Sequence, residues 1–362
     1  MQAKNLCFYL SDHGFGHIAR NIPLIAEAVR RTNGFVYVVC GKRHLEFAKA
    51  NLLEILTPEQ FSRIRYRAEH TDIGLILQQG TLLVDTAALT DACAQYLAER
   101  PERAKQEADW LCQHDVAAAL CDMPLWSISA CEQAGVPLLY VGNFTWTELY
   151  REFLPEHIWE AYAAEYRKIR HGMLYALHNP EMLEFLSQAE LSETSLVARP
   201  FHPDEIQAIR ARHTCPVVFV ALGMSAQFTQ PVSVEGVEAH FYVTEGVPLT
   251  GSNVTVIPYS TLHTQDYVAA ADYVITKAGW GTVAECLLAQ KPMALFARDS
   301  VLEDRTTIRL LEQKKLAIKV TYEQLTEMSD LLEQMKQITY PAVPEYHNAA
   351  AEIVSKLLTL TE

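Results

Sequence analysis

Short apolar runs bounded by polar, glycine-containing turns recur along the chain, and most are too short to be helices. Residues 6–10, 36–40, 117–121 and 138–141 read as buried strands. Amphipathic stretches separate them, among them 22–31 and 127–133, so the alternation predicts a parallel sheet with helical crossovers. A mixed-charge stretch, 91–113, predicts one or two surface helices, and the aromatic-rich region 144–175 predicts helical, partly lid-like structure. The pattern then resets. Pro200, Pro203 and Cys215-Pro216 punctuate a polar stretch, after which 217–222, 241–244, 254–257, 273–276 and 293–296 supply a second series of strands. The expected fold is therefore α/β, with two Rossmann-like parallel-sheet domains facing an interdomain cleft. Residues 1–195 form the first domain, 196–215 a linker and 216–343 the second. An amphipathic C-terminal helix within 344–362 is too apolar on one face to dangle and should pack back toward the first domain.

Composition narrows the partners. At 362 residues, 49% of them apolar, the chain exceeds what one core usually serves, in keeping with two globular domains. A formal charge of −14 and the absence of a clustered run of Lys and Arg, Lys42-Arg43 being a short pair, argue against a nucleic-acid partner. No apolar stretch is long enough to span a bilayer, and the start lacks the apolar region and cleavage site of a signal peptide. Peripheral contact with a membrane stays open. The eight cysteines form no Cys-x-x-Cys pair, which suits reduced thiols in a cytoplasmic protein and gives no spacing for a metal site.

Two glycine turns carry the candidate chemistry: Ser11-Asp12-His13-Gly14-Phe15-Gly16-His17 and Lys277-Ala278-Gly279-Trp280-Gly281-Thr282-Val283-Ala284-Glu285. Each follows an apolar run and precedes an amphipathic one. Such a turn exposes backbone N–H groups at a helix start, where anions are stabilised. Gly14-x-Gly16-x-x-Ala19 formally fits the dinucleotide fingerprint, but the acidic residue expected on the second strand is replaced by Gly41-Lys42-Arg43. That substitution could suit a 2′-phosphate, yet it leaves the second turn unexplained. Glu285, one helical turn beyond Gly281, could accept two hydrogen bonds from vicinal ribose hydroxyls, or be a first-turn Glu favoured by the helix dipole. Thr282 could donate to a phosphate oxygen or cap the helix. Asp122 closes the strand 117–121 at the sheet edge that also carries the turn after Leu10. It could orient His17 as an acid partner does in a triad, or cap the helix beginning near Leu125. His13 could share the catalytic role, contact the donor or fill the turn. Arg20 could pair Asp12 or meet an acceptor anion, and Trp146 could stack on a sugar or belong to the core. Asp299, Glu303 and Asp304 follow a strand and could contact a donor sugar or form a solvated charged loop. Phe15, Trp280 and Tyr259 lie in loops where they could line a cleft.

Taken together, these segments resemble the GT-B glycosyltransferases, including the enzyme that adds N-acetylglucosamine in peptidoglycan synthesis. They resemble most closely the glycosyltransferase-like N-terminal region of plant L-arabinokinases and related bacterial proteins. The likeness rests on Asp12–Arg20, Cys121–Pro124, Gly142–Trp146 and Lys277–Glu285, extended by Arg298-Asp299 and Glu303. The kinase half of the plant proteins has no counterpart here. The resemblance implies a nucleotide diphosphate sugar, UDP-sugar favoured, held by the second domain. Its base would lie near 257–259, including Tyr259, its ribose on Glu285, and its diphosphate near Gly279–Thr282, Lys277 and the Gly223-Met224-Ser225 loop. Gly14 and Gly16 would border the donor, while Arg20, Asn143 and Trp146 lie on the acceptor side. It further implies an inverting transfer without metal or cofactor, with His17 as base supported by Asp122. The second histidine in His-Gly-Phe-Gly-His leaves the choice between His13 and His17 open. A nonhydrolysing sugar-nucleotide epimerase and a silent nucleotide-sugar sensor are the alternative readings.

Overall fold

The computed structural model describes residues 4–79, 81, 83–222, 230–296 and 298–362. The chain forms two compact units, the first built from Met1–Leu77, Val84–Val197 and Asn348–Glu362, the second from Gln78–Leu83 and Ala198–His347.

In the first unit seven parallel strands lie in the order Ile64–Ala68, Val36–Cys40, Asn5–Leu10, Val116–Asp122, Leu138–Gly142, His171–Tyr175 and Glu190–Thr194. The second unit repeats the plan with six: Val254–Ile257, His240–Thr244, Val217–Ala221, Tyr273–Lys277, Met293–Phe296 and Ala317–Val320. Each order reverses beside its first strand. At such a switch point the loops leaving two adjacent strands diverge, and a crevice opens at the carboxyl edge of the sheet. In the first unit it is flanked by Leu10 and Asp122, which are paired in register, and in the second by Ala221 and Thr276. The central strands are buried on both faces and so show no polar alternation: Leu6 to Leu10 and Val217 to Val220 are all at or near zero exposure, Phe219 keeping 2%.

Several strands departed from the apolar pattern. Ile64–Ala68 and Glu190–Thr194 are edge strands whose outer positions carry charge, and His171–Tyr175 contains Gly172, where a Cβ would stand 2.7 Å from Leu191 Cδ2. The region 144–175 is no lid. Trp146–Tyr150 and Glu156–Tyr166 are helices whose Trp146, Tyr150, Tyr162 and Tyr166 are buried, with Trp146 stacked on Tyr150 at 5.3 Å between ring centroids. The expected surface helices are one helix, Thr86–Gln113, started by Asp85, whose carboxylate accepts from Ala88 N at 3.0 Å. Its buried Glu107 takes Tyr9 Oη at 2.6 Å and both Arg67 guanidinium nitrogens. The stretch expected as a linker holds the helix Pro203–Arg210, which packs on the helix Thr264–Ala270 within the second unit. The last helix, Ala350–Thr359, groups with the first unit and lies against the helix Phe15–Arg31, burying Ile353, Val354 and Leu357 completely. All eight cysteines are free, and no helix among the described residues is long and apolar enough to cross a membrane.

Candidate functional site

In the first unit the site forms where the turn after Leu10 meets the end of Val116–Asp122. The helix Phe15–Arg31 begins seven residues before the apolar pattern suggested, placing His17, Arg20 and Asn21 on its first turns. Gly14 occupies the position before it with φ 74°, a backbone that favours glycine. Gly14, Phe15 and Gly16 are exposed, and a Cβ on either glycine would meet nothing within 4 Å. The surface over this helix start is open. Phe15 stacks on His44 with ring centroids 4.8 Å apart.

Beneath the turn, the fully buried Asp122 carboxylate gathers four donors. His17 Nδ1 lies 2.9 Å from Oδ1, which also accepts from Arg20 Nη2 at 2.6 Å, while Oδ2 accepts from Arg20 Nε at 2.8 Å and Asn21 Nδ2 at 2.6 Å. Burial alone would disfavour its charge, but the Arg20 guanidinium and His17 outweigh that cost and hold the carboxyl well below the usual carboxylate range. Arg20 also donates from Nη1 to Asn143 Oδ1 at 2.7 Å. It pairs with Asp122 rather than Asp12. The helix following Asp122 starts at Leu125 with Pro124 before it, so Asp122 is not its cap. Met123, next in the chain, takes φ 88°, an uncommon value for a long side chain, and its carbonyl is fixed by Tyr166 Oη at 2.9 Å. Arg20 Nη2 stands 3.0 Å from His17 Nδ1 as well. With the Nδ1 proton given to Asp122, Nε2 is the basic nitrogen, and no hydrogen bond among the described residues takes it.

His13 lies to the side of this group. Its ring meets Trp146 edge-on at 5.5 Å and covers Gly74, where a Cβ would fall 1.9 Å from Nδ1. Trp146 is only 2% exposed and donates from Nε1 to Asp72 Oδ2 at 2.8 Å, so it offers no face for a sugar. Asp12 accepts from Thr71 and faces His70 Nδ1 at 2.9 Å, and its own N–H reaches Asp72 Oδ1 at 3.3 Å. Burial and the neighbouring Asp12 charge push Asp72 up to about 7.

The second unit carries the other turn. The helix Trp280–Leu288 starts after Gly279 with no side-chain cap, so Thr282 does not cap it. Lys277 folds back toward Gly279, where a Cβ would lie 3.3 Å from its Cε. Burial and Arg298 lower its ammonium pKa, against the pull of Asp304 and Glu303. Glu285 is buried, and its Oε1 accepts from Arg199 Nη2 at 3.0 Å and Nε at 3.3 Å. Its Oε2 takes no hydrogen bond among the described residues. Burial raises the Glu285 carboxyl, and Arg199 works against that rise. Arg199 is further tied to Leu262 O at 2.6 Å and Thr264 Oγ1 at 3.0 Å. Nothing in the motif pointed to Arg199, which is distant in sequence from Glu285. Trp280 is buried, whereas Tyr259 is 59% exposed and crosses Gly246. Asp304 is buried and gripped by Arg298 through both carboxylate oxygens, so it is not free for a sugar, while Asp299 is exposed and paired with Lys319 at 2.8 Å. Glu303 is half-buried beside them. Gly223 and Ser225 lie outside the described residues.

Two doubly wound units with these strand orders give the chain the fold of the GT-B glycosyltransferases. Residues 217–360 match the glycosyltransferase family 28 C-terminal domain, which makes the chain glycosyltransferase-like in sequence as well. Among solved structures, Arabidopsis thaliana UGT89C1 complexed with UDP-L-rhamnose superposes with a TM-score of 0.66 at 12% identity, covering 100% of both chains. A UDP-glucosyltransferase from Polygonum tinctorium capable of glucosylating indoxyl gives 0.67 at 11%, over 100% of this chain and 99% of that one. CalG4, the calicheamicin glycosyltransferase, gives 0.61 at 14%, over 100% and 94%. An Arabidopsis thaliana L-arabinokinase is 24% identical over 332 residues, 86% of this chain. The chain spans 30% of the length of that relative.

Proposed function

We propose that the protein is an inverting glycosyltransferase that moves a sugar from a nucleotide diphosphate sugar, UDP-linked by preference, to an acceptor hydroxyl. The carrying observation is the His17–Asp122 pair, 2.9 Å apart and buried below an open glycine turn. A histidine whose Nδ1 proton is held by a carboxylate presents a basic Nε2, and the same carboxylate stabilises the imidazolium that forms when Nε2 accepts the hydroxyl proton. Arg20 keeps Asp122 ionised, and Asn21 Nδ2 helps hold it in place. His17 Nδ1 stands 2.9 Å from Asp122 while the His13 ring packs against Trp146 and over Gly74, and the Asp122 contact favours His17 as the base.

The second unit supplies the donor site in this reading. Arg199 holds Glu285 by Oε1, leaving Oε2 for the ribose hydroxyls. The start of the helix Trp280–Leu288, with Lys277 beside it, meets the negative charge that grows on the departing diphosphate, so the transfer step itself requires no metal ion. In the same reading exposed Tyr259 covers the base. The match of residues 217–360 to a glycosyltransferase domain and the UDP-bound state of UGT89C1 support this assignment.

A thermal-shift panel of UDP, GDP, dTDP and their sugars tests the donor, since a ligand bound to the folded state raises Tm. Glu285→Gln is expected to abolish the shift. His17→Ala should keep it while acceptor-dependent release of nucleotide diphosphate falls by about 10²- to 10⁴-fold. Undiminished turnover in His17→Ala would overturn the assignment, and an isomerised donor formed without acceptor would mark an epimerase instead.

A further inference from the structure

Outside the residues given a role above, one group of nitrogen and oxygen donors converges in the second unit: His202, His263 and Asp266, whose ligand atoms lie within 4.8 Å of one another. His202 precedes the helix Pro203–Arg210, and His263 and Asp266 stand before and in the first turn of Thr264–Ala270. Asp266 is 1% exposed, while the side chain of His202 is 34% exposed, so the group has a buried carboxylate floor and a side open to solvent. We propose that His202, His263 and Asp266 form a binding site for one divalent transition-metal ion, Zn²⁺ or Co²⁺ in class, that fastens the segment carrying Arg199 to the start of the helix Thr264–Ala270.

The donor chemistry fits. Two imidazoles and one carboxylate form a set that zinc accepts, with remaining positions open to water, and they disfavour Ca²⁺ and Mg²⁺, which take oxygen. The spacing fits too. His202 Nδ1 and Asp266 Oδ2 share a hydrogen bond at 2.8 Å, and parting to roughly 3.4 Å lets both meet one ion at roughly 2.0–2.2 Å in a tetrahedron. The two imidazole centroids are 4.6 Å apart and the rings are inclined at 73°, so both can turn toward one point. Asp266 Oδ1 is held by His202 N–H at 2.9 Å, which keeps the carboxylate in place when Oδ2 exchanges a proton for an ion. Gln265, 1% exposed, puts Nε2 3.3 Å from His263 Nδ1, and its buried Oε1 has no partner among the described residues.

The site's consequence runs through the chain. Arg199 is three residues before His202 and bonds Thr264 and Leu262 on either side of His263. An ion on both segments therefore steadies the guanidinium that grips Glu285, while taking no part in a reaction. The sequence spacing hid the group because His202 and Asp266 come from separate segments.

The test uses the full chain without a polyhistidine tag, stripped with chelator. Zn²⁺ titrated by calorimetry should bind with about one ion per chain and raise Tm. Co²⁺ should give a visible ligand-field spectrum. His202→Ala and His263→Ala should each weaken binding by about tenfold or more, since loss even of groups behind metal ligands costs that much. His213→Ala, which alters the separate stacked His213–His240 pair, should leave it unchanged. Binding that survives both His202→Ala and His263→Ala, or that disappears with His213→Ala, overturns the proposal, as does the absence of any Zn²⁺ uptake by the folded wild-type chain.

Discussion

At the scale of single residues, two of the buried carboxylates in the first unit have opposite fates. Asp122 sits among cationic and amide donors and stays charged, whereas Asp72 sits beside Asp12 and is pushed from the ordinary 3.8 to about 7. A raised folded-state value means the native protein binds the proton more tightly than the unfolded chain, so this group's contribution is full below about pH 4 and is lost as pH rises toward 7. Asp72→Asn removes that loss. Its stability relative to wild type, measured by urea unfolding, should therefore rise between pH 5 and pH 8. For Asp122 the sign reverses: its lowered value contributes stability above its unfolded pKa that disappears in acid. Arg20→Ala leaves the Asp122 charge buried with weaker compensation, and a loss of about 3–5 kcal/mol at neutral pH is expected, with the acid transition moved to higher pH. Unchanged acid unfolding in that variant would refute the role given to Arg20. Legibility at this scale followed chain proximity. His17 and Asp122 stand in short motifs and could be proposed from them, but Asn21, Asp72 and Arg199 acquire meaning only through partners distant in sequence, which no local pattern records.

At the scale of elements, the apolar runs located the central strands to within a residue or two because those strands are buried on both faces. Edge strands such as Ile64–Ala68 and Glu190–Thr194 were missed because one side of each must tolerate solvent. The first helix starts at the glycine turn, as that turn implied, but well before its apolar period, for a different reason. Its opening turns carry His17, Arg20 and Asn21, polar residues buried on one another, so the hydrophobic period begins only where this network ends. The loop holding Gly74 illustrates how tightly the turn after Leu10 is braced. Gly74 has φ 69° and lies under the His13 ring, so Gly74→Ala must both strain the backbone and displace His13. A loss of about 1–3 kcal/mol is expected in chemical unfolding, and a neutral result would show that His13 moves freely.

At the scale of the whole molecule, two sheets of equivalent strand order account for the GT-B fold, and the apolar alternation of the sequence was enough to anticipate them. The boundaries were less visible: the polar stretch 196–215 contains a helix belonging to the second unit, and punctuation by proline marked its start rather than a free linker. The final helix contributes Leu357, fully buried, to the first unit. Leu357→Ala should cost about 2–5 kcal/mol, with hydrogen exchange quickening along Phe15–Arg31, against which that helix packs. Slowed or unaltered exchange there would disprove the coupling. Because its closing piece is encoded after everything in its neighbour, the unit bearing His17 cannot be completed early in translation. A nascent polypeptide paused with His347 just outside the ribosome should already resist protease through the later-encoded sheet, while the earlier-encoded one is still waiting for its last helix.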